Sequence, residues 1–263
     1  MARKHTRRAL ILATINNKGG CGKTCTAQNI AAALRLEGLN VLTVDTDGQA
    51  NLTACFGLGG NTAEGQQFYK AMKGQADTVR PVPVLPADGT AGRLDIIPAV
   101  EDLAALNAEL STDPRRAQRL GALLEPLRAQ YDYILIDTPP AADLLTINAM
   151  YATDGAIITT QPQPLAVAGL LKVRDRLQII AQNRGRALPC LVLITQFDRR
   201  KSLHRMTADA IQGAGLDVCP VVVRECIALA EATACSRDIF RYAPRSNGAE
   251  DYRAAAAAVS NKF

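Results

Sequence analysis

Tryptophan is absent from the 263 residues, and aromatic side chains together make up only 4% of them. The core therefore has to be aliphatic, drawn from a hydrophobic fraction of 48% that is ordinary for a globular chain. Long apolar runs are missing too, and none approaches the roughly 20 residues that a membrane-spanning helix needs. Met1–Ile15 sets a basic segment before an apolar one, as a secretory signal does. The apolar stretch is only about seven residues, however, and runs straight into a glycine-rich loop, so no signal peptide is expected. The seven cysteines (Cys21, Cys25, Cys55, Cys190, Cys219, Cys226 and Cys235) include no C-x-x-C pair, so a zinc or iron–sulfur site lacks its local signature. Their odd number, with Cys190 and Cys219 in apolar settings, predicts reduced thiols in a cytoplasm. No guanine-reading N-K-x-D motif, internal repeat or coiled coil occurs. The charge excess is mild, +5, which permits contact with nucleic acid or an anionic membrane and establishes neither. The length suits one α/β domain over residues 1–263, with a basic arm at 1–8 carrying Arg3, Lys4, Arg7 and Arg8. A solvated tail is the simpler reading of that arm, and an added contact to DNA phosphates the other.

What is present is concentrated in Ile11–Thr24, I-L-A-T-I-N-N-K-G-G-C-G-K-T. An apolar strand, Ala9–Ile15, ends in a polar glycine-rich loop, and a helical pattern, Cys25–Leu36, follows at once. Gly19, Gly20 and Gly22 allow positive φ and close backbone approach. Loop N–H groups at a helix N-terminus can then surround phosphate oxygens. Lys23 would reach the β/γ-phosphates, and the Thr24 hydroxyl would ligate Mg²⁺. The general pattern G-x-x-x-x-G-K-[ST] is broken at Asn17, and a second lysine, Lys18, opens the loop instead. Lys18, Gly19, Gly20, Cys21, Gly22, Lys23, Thr24 and Cys25 are the expected nucleotide contacts. Oxidation of Cys21 or Cys25 would block that site, although replacement of small residues explains both cysteines more simply.

Two acidic motifs follow at strand ends. Val41–Val44 leads into Asp45-Thr46-Asp47-Gly48-Gln49-Ala50-Asn51, and Tyr133–Ile136 into Asp137-Thr138-Pro139-Pro140. Carboxylates at the carboxyl ends of parallel strands are placed for metal and water chemistry. Asp137 falls where a Walker B aspartate holds Mg²⁺ through water.

K-G-G-x-G-K-T, D-x-D-x-Q-x-N and I-D-x-P-P together resemble the deviant Walker A ATPases of the ParA/MinD family. The resemblance runs from Ile11 to about Ala254, with Gly48 where the family usually has proline. It implies a P-loop fold binding ATP and Mg²⁺. It further implies that Lys18 acts across a homodimer on the partner's nucleotide, that Asp47 orients the attacking water, and that Asp45 supports the Mg²⁺ shell. Thr195 and Asp198, in T-Q-F-D, match a family segment near the adenine pocket. The C-terminal third, through Ala234–Phe240, resembles the ParA branch. That branch implies a cytoplasmic, nucleoid-associated partition ATPase. Its ATP dimer binds DNA non-specifically, and a centromere-bound ParB-like adaptor stimulates hydrolysis and release. No N-terminal helix-turn-helix extension is apparent, as in the short ParA form. Clustered basic residues (Arg199, Arg200, Lys201, Arg205, Arg224, Arg237 and Arg241) are the candidate phosphate contacts. The arginine the family often carries before its L-x-E-A segment is Ala228 here. The alternative is a MinD-like membrane-associated ATPase. Tyr252–Phe263, mostly alanine, makes a poor amphipathic anchor for it, so no membrane is expected.

The remaining pattern predicts a doubly wound, mostly parallel sheet of about seven strands with helices on both faces. Further strands are expected at Leu94–Ile97, Ala156–Thr160, Cys190–Thr195 and Asp217–Val223. Helices are expected in Leu52–Gln75 (one or two), Glu101–Leu110, Arg115–Gln130 with a kink at Pro126, around Thr146–Met150, up to Gln182, and at Gly248–Val259. Residues 81–92, with three prolines and two glycines, read as a loop.

Overall fold

The computed structural model describes residues 8–263, so Arg3, Lys4 and Arg7 of the basic arm lie outside the described residues. Seven strands form one sheet in the order β3-β4-β2-β5-β1-β6-β7. They are β1 (Leu10–Ile15), β2 (Val41–Asp45), β3 (Val82–Leu85), β4 (Leu94–Ile97), β5 (Tyr133–Asp137), β6 (Gly155–Thr160) and β7 (Cys190–Ile194). All neighbours pair in parallel except β3, which runs antiparallel to β4. The central strands are buried on both faces, which is why they read as unbroken aliphatic runs instead of alternating ones.

Helices cover both faces. On one lie α3 (Ala63–Met72), α5 (Arg119–Leu124), α6 (Leu144–Ala152), α7 (Ala166–Arg184) and α8 (Ser202–Gly213), meeting the sheet through side chains such as Phe68, Leu124, Met150, Val173 and Ile211. On the other lie α1 (Lys23–Leu36), α2 (Asn51–Cys55), α9 (Ile227–Ala234), α10 (Ile239–Tyr242) and α11 (Asn247–Lys262), packed through Ile30, Leu34, Leu52, Ile239 and Val259. Apart from Tyr131, Tyr252 and Phe68, the largest fully buried side chains are aliphatic, as the scarcity of aromatics requires.

The seven strands are not the seven expected. Residues 217–223 form no strand. Beside β7 and its extension they form isolated bridges and no ladder: Val192↔Val218 and, one residue past the segment, Phe197↔Arg224. Pro220 has no N–H to give to a ladder, and pairing is made only on its two sides, by Cys219 N–H to Val192 C=O and Val223 N–H to Ile194 C=O. In exchange, β3 arises inside the proline-rich stretch read as a loop. An edge strand tolerates proline, and the register shifts between Pro83 and Leu85. The expected helix Arg115–Gln130 divides into α5 and a 3-10 turn, Glu125–Ala129, with Pro126 in its first turn, where the missing N–H breaks the α-helical ladder. Glu101–Leu110 is a 3-10 turn, Glu101–Ala105, followed by the short α4 (Leu106–Glu109).

The register matters for the site. Thr14 of β1 and Asp45 of β2 both stand opposite Asp137 of β5. Three polar side chains are thereby gathered at adjacent carboxyl ends, where open α/β sheets bind ligands.

Candidate nucleotide site

The loop between β1 and α1 is shaped by two left-handed glycines, Gly20 at φ +72° and Gly22 at φ +81°; Gly22 also caps α1. No side chain caps α1, and no acidic residue occupies its first turn. Its first N–H groups and the positive end of its dipole therefore serve the loop. The loop is held from three sides. Asn16 donates to the Thr159 carbonyl at 2.5 Å and accepts from the Lys18 N–H at 3.0 Å. The Thr195 hydroxyl donates to the Cys21 carbonyl at 2.9 Å. Gln161 and Gln196 both donate to the Gly20 carbonyl at 2.7 Å.

Lys23 is only 7% exposed, and its ammonium donates to the Lys18 carbonyl at 3.3 Å, so it lies back across the loop. The Thr24 hydroxyl donates to Asp137 at 2.6 Å, and Thr14 donates to the other Asp137 oxygen at 3.1 Å. Burial pushes the Asp137 carboxyl up to about 6, against the opposing pull of Thr24 and Lys23. Asp45 is fully buried and is pushed up to about 7 by burial and by Asp137. Its oxygens accept from the Asp47 N–H (3.1 Å), the Thr53 N–H (2.9 Å) and the Thr53 hydroxyl (2.8 Å). Asp45 therefore anchors the start of α2 and the turn that carries Asp47, and it does not line the cleft. Asp47 does line it, with one oxygen accepting from the Gln49 N–H at 3.0 Å. Gly48 packs against the 3-10 turn, where an added Cβ would meet Ala104 and the Glu101 carbonyl at 3.2 Å.

These groups border a cleft of about 610 Å³ lined by Gly19, Gly20, Gly22, Lys23, Thr24 and Cys25, with Asp47, Thr138 and Gln196 opposite. A second hollow of about 420 Å³ adjoins it behind Thr195 and Gln196, walled by Val223, Ile227, Leu229 and Tyr252. Lys18 lines neither; its ammonium contacts Gln163. Asp198 lines neither as well. Its carboxylate is held at about 2 by Arg200, chiefly through the side-chain hydrogen bond. Burial pushes the Cys25 thiol up and the Cys55 thiol up to about 12, so both stay protonated and poorly reactive.

The basic candidates divide. Arg224 is engaged by Asp251 and Glu250, Arg241 by Asp238, Arg200 by Asp198, and Lys201 by Glu225. Arg199, Arg205 and Arg237 have no carboxylate partner among the described residues. Asn16, Gln161, Gln163 and Gln196 were not singled out from the sequence as site residues. Gln161 and Gln163 stand in a Q-P-Q-P loop that opens a long helix, and Gln196 in the T-Q-F-D segment.

A family model described as an AAA domain matches residues 9–189. The sporulation initiation inhibitor protein Soj of Bacillus subtilis is 36% identical over 245 residues, covering 92% of this chain and 94% of Soj. The chain belongs to the ParA-type ATPases. The chromosome partitioning protein ParA of Caulobacter vibrioides is 34% identical over 249 residues, covering 92% of this chain and 90% of that protein. Among solved structures, a cobyrinic acid a,c-diamide synthase from Mycobacterium smegmatis with bound ADP and magnesium superposes with a TM-score of 0.78 at 27% identity. It covers 96% of this chain and 94% of that one. In this ParA-type chain the matched segment contains the phosphate loop, Asp47 and Asp137.

Proposed function

We propose that this chain is a Mg-ATP-dependent partition ATPase whose ATP-bound form pairs face to face. In this reading the pair binds DNA without sequence preference, and a ParB-like adaptor at the centromere stimulates hydrolysis and release. The observation that carries the reading is the division of labour between two lysines. Lys23 is buried against its own loop, whereas Lys18 turns away from its own cleft. In this reading, a lysine that opens the loop without lining its own cleft would serve a nucleotide on another subunit.

The donor set fits Mg²⁺. A threonine hydroxyl at the cleft backs onto a buried carboxylate, a site where a hard cation relieves unfavourable negative charge. Among the described residues no cluster of three or more His, Cys, Asp or Glu could hold a metal alone, so a cation here would share phosphate oxygens and water. Bound there by Thr24, with Asp137 behind, magnesium would neutralise charge on the β- and γ-phosphate oxygens. Lys23 and the first-turn N–H groups of α1 hold those oxygens, Asp47 orients the water, and Asp45 keeps the Asp47 turn in place. In this reading the adenine would occupy the hollow beside Thr195. The membrane alternative gains no support from α11, whose Tyr252, Ala255, Ala256 and Val259 are buried against the fold. Among the described residues no helix is long and apolar enough to cross a membrane.

Lys18→Ala is expected to keep ATP binding but to lose ATP-dependent pairing, and hydrolysis is expected to drop by roughly 100-fold or more. Light scattering and phosphate release read both, and a variant that pairs and hydrolyses normally would refute the reading. For DNA, binding to random-sequence duplex is expected only with ATP and should weaken steeply with salt. Reversing Arg199, Arg205 and Arg237 together to glutamate should remove it. Equal binding with ATP, ADP and no nucleotide would mean generic charge attraction.

A further inference from the structure

Three glutamines and Lys18 form one continuous chain of hydrogen bonds. The Lys18 ammonium donates to Gln163 Oε1. Gln163 Nε2 donates to Gln161 Oε1 at 2.7 Å. Gln161 Nε2 donates both to Gln196 Oε1 at 2.8 Å and to the Gly20 carbonyl at 2.7 Å. Gln196 Nε2 reaches the same carbonyl at 2.7 Å, from a backbone held at φ +53°. The chain has a direction, and Lys18 sets it. An ammonium can only donate, so Gln163 must present its oxygen to it and its NH₂ to Gln161. Gln161 then accepts on its oxygen and directs its own NH₂ towards Gln196 and the loop. A residue other than glycine at positive φ is uncommon and costs energy, so the placement of Gln196 is imposed by its surroundings.

The end of the chain matters as much as its start. Two donors, Gln161 and Gln196, fix the direction of the Gly20 carbonyl. In a trans peptide the following N–H, that of Cys21, points the opposite way. Gln161 and Gln196, which Gln163 links to Lys18, therefore orient a loop peptide.

We propose that Gln161, Gln163 and Gln196 are a relay that holds Lys18 within its own subunit and ties its release to the phosphate loop, with Gln163 the positioning residue that sets how readily Lys18 leaves. The proposal rests on the reading that Lys18 acts on a second copy. To do so Lys18 must give up Gln163, and the strength of that contact opposes pairing. Weakening it favours the pair. Strengthening it, by putting a carboxylate where the amide oxygen sits, disfavours the pair, because the already charged donor then gains an ion pair, worth up to about 1 kcal/mol at an exposed site.

The test is the ATP concentration that gives half-maximal pairing, followed by light scattering for the full chain, Gln163→Ala and Gln163→Glu, with Lys18→Ala alongside. Gln163→Ala is expected to lower it about fivefold and Gln163→Glu to raise it about fivefold, the effect of one modest hydrogen bond. Melting temperatures without nucleotide should stay together, since the contact is exposed. A merely structural role would move both variants the same way. If Lys18→Ala abolishes pairing while the two Gln163 variants shift together or not at all, the relay is refuted and the lysine reading stands. If Lys18→Ala pairs normally, the lysine reading falls, and the relay's role falls with it.

Discussion

Lys23→Ala is expected to reduce ATP hydrolysis by on the order of 10³-fold or more and to weaken ATP binding by the isolated subunit. The side chain is 7% exposed and crosses its own loop, so its charge acts in a water-poor site where electrostatic interactions are strengthened. Its ammonium also helps keep Asp137 ionised against burial; without it that carboxyl rises further and a cation at Thr24 loses part of its support. The loss should not be one of folding, because Lys23 contributes a long contact to a single carbonyl and no ion pair within 4 Å. Phosphate release under saturating ATP, with fluorescent-nucleotide binding beside it, checks the expectation. The contrast with Lys18→Ala is diagnostic: one lysine fails in the isolated subunit, the other only when two subunits meet. Hydrolysis by Lys23→Ala within tenfold of the parent would remove Lys23 from the chemistry.

The phosphate loop and the two acidic turns were legible because each is contiguous. Strand, loop and helix start are written in Ile11–Thr24, and β-sheet register then does the assembly, setting Thr14 and Asp45 opposite Asp137. The glutamine contacts were not legible, since their partners lie 141 and 176 residues away along the chain. No local pattern marks an amide that will meet a loop carbonyl from another strand. The same blindness affects charge. Arg224 reads as a free cation beside a strand end, yet it is engaged by Asp251 and Glu250 from α11, residues 27 and 26 positions later. Asp45 looked like a second metal carboxylate, and only the fold reveals that Thr53 and the Asp47 N–H occupy its oxygens.

Proline caused both errors in the sheet, in opposite senses. Pro83 and Pro86 made residues 81–92 look like a loop, although an edge position allows Val82–Leu85 to pair with β4. The valines of 217–223 made that segment look like a strand, although Pro220 interrupts its pairing with β7. Both errors are one ambiguity: proline removes a donor, and whether that donor was needed depends on which side of the segment faces a neighbour.

At the end of the sheet opposite the phosphate loop, Arg128→Ala is expected to destabilise the chain by about 3 kcal/mol, the lower end of the range for breaking a buried ion pair. The Arg128 guanidinium contacts both oxygens of Asp154, at 2.7 and 3.2 Å, and donates to the Ala9 carbonyl at 2.8 Å. Asp154 also accepts from the Ile11 N–H at 2.9 Å, so the pair fastens the start of β1 to the turn before β6. Removing Arg128 leaves a carboxylate with a side-chain exposure of 4% that keeps Arg186 and the Ile11 N–H, which limits the loss. Burial alone would raise the Asp154 carboxyl, but Arg128 and the Ile11 N–H outweigh it and hold the group below its usual range. A carboxyl lowered by folding stabilises above its unfolded value, near pH 4, and that contribution is lost as the pH falls through the folded value. Part of the acid sensitivity of the parent should therefore disappear in Arg128→Ala, which already lacks the pairing. Arg128→Met with Asp154→Leu should recover some of the stability, because an apolar pair leaves no buried charge. Urea unfolding at pH 7 and pH 4 measures the parent and both variants, and a loss below about 1 kcal/mol in Arg128→Ala at pH 7 would place the fastening of β1 and β6 in their parallel ladder alone.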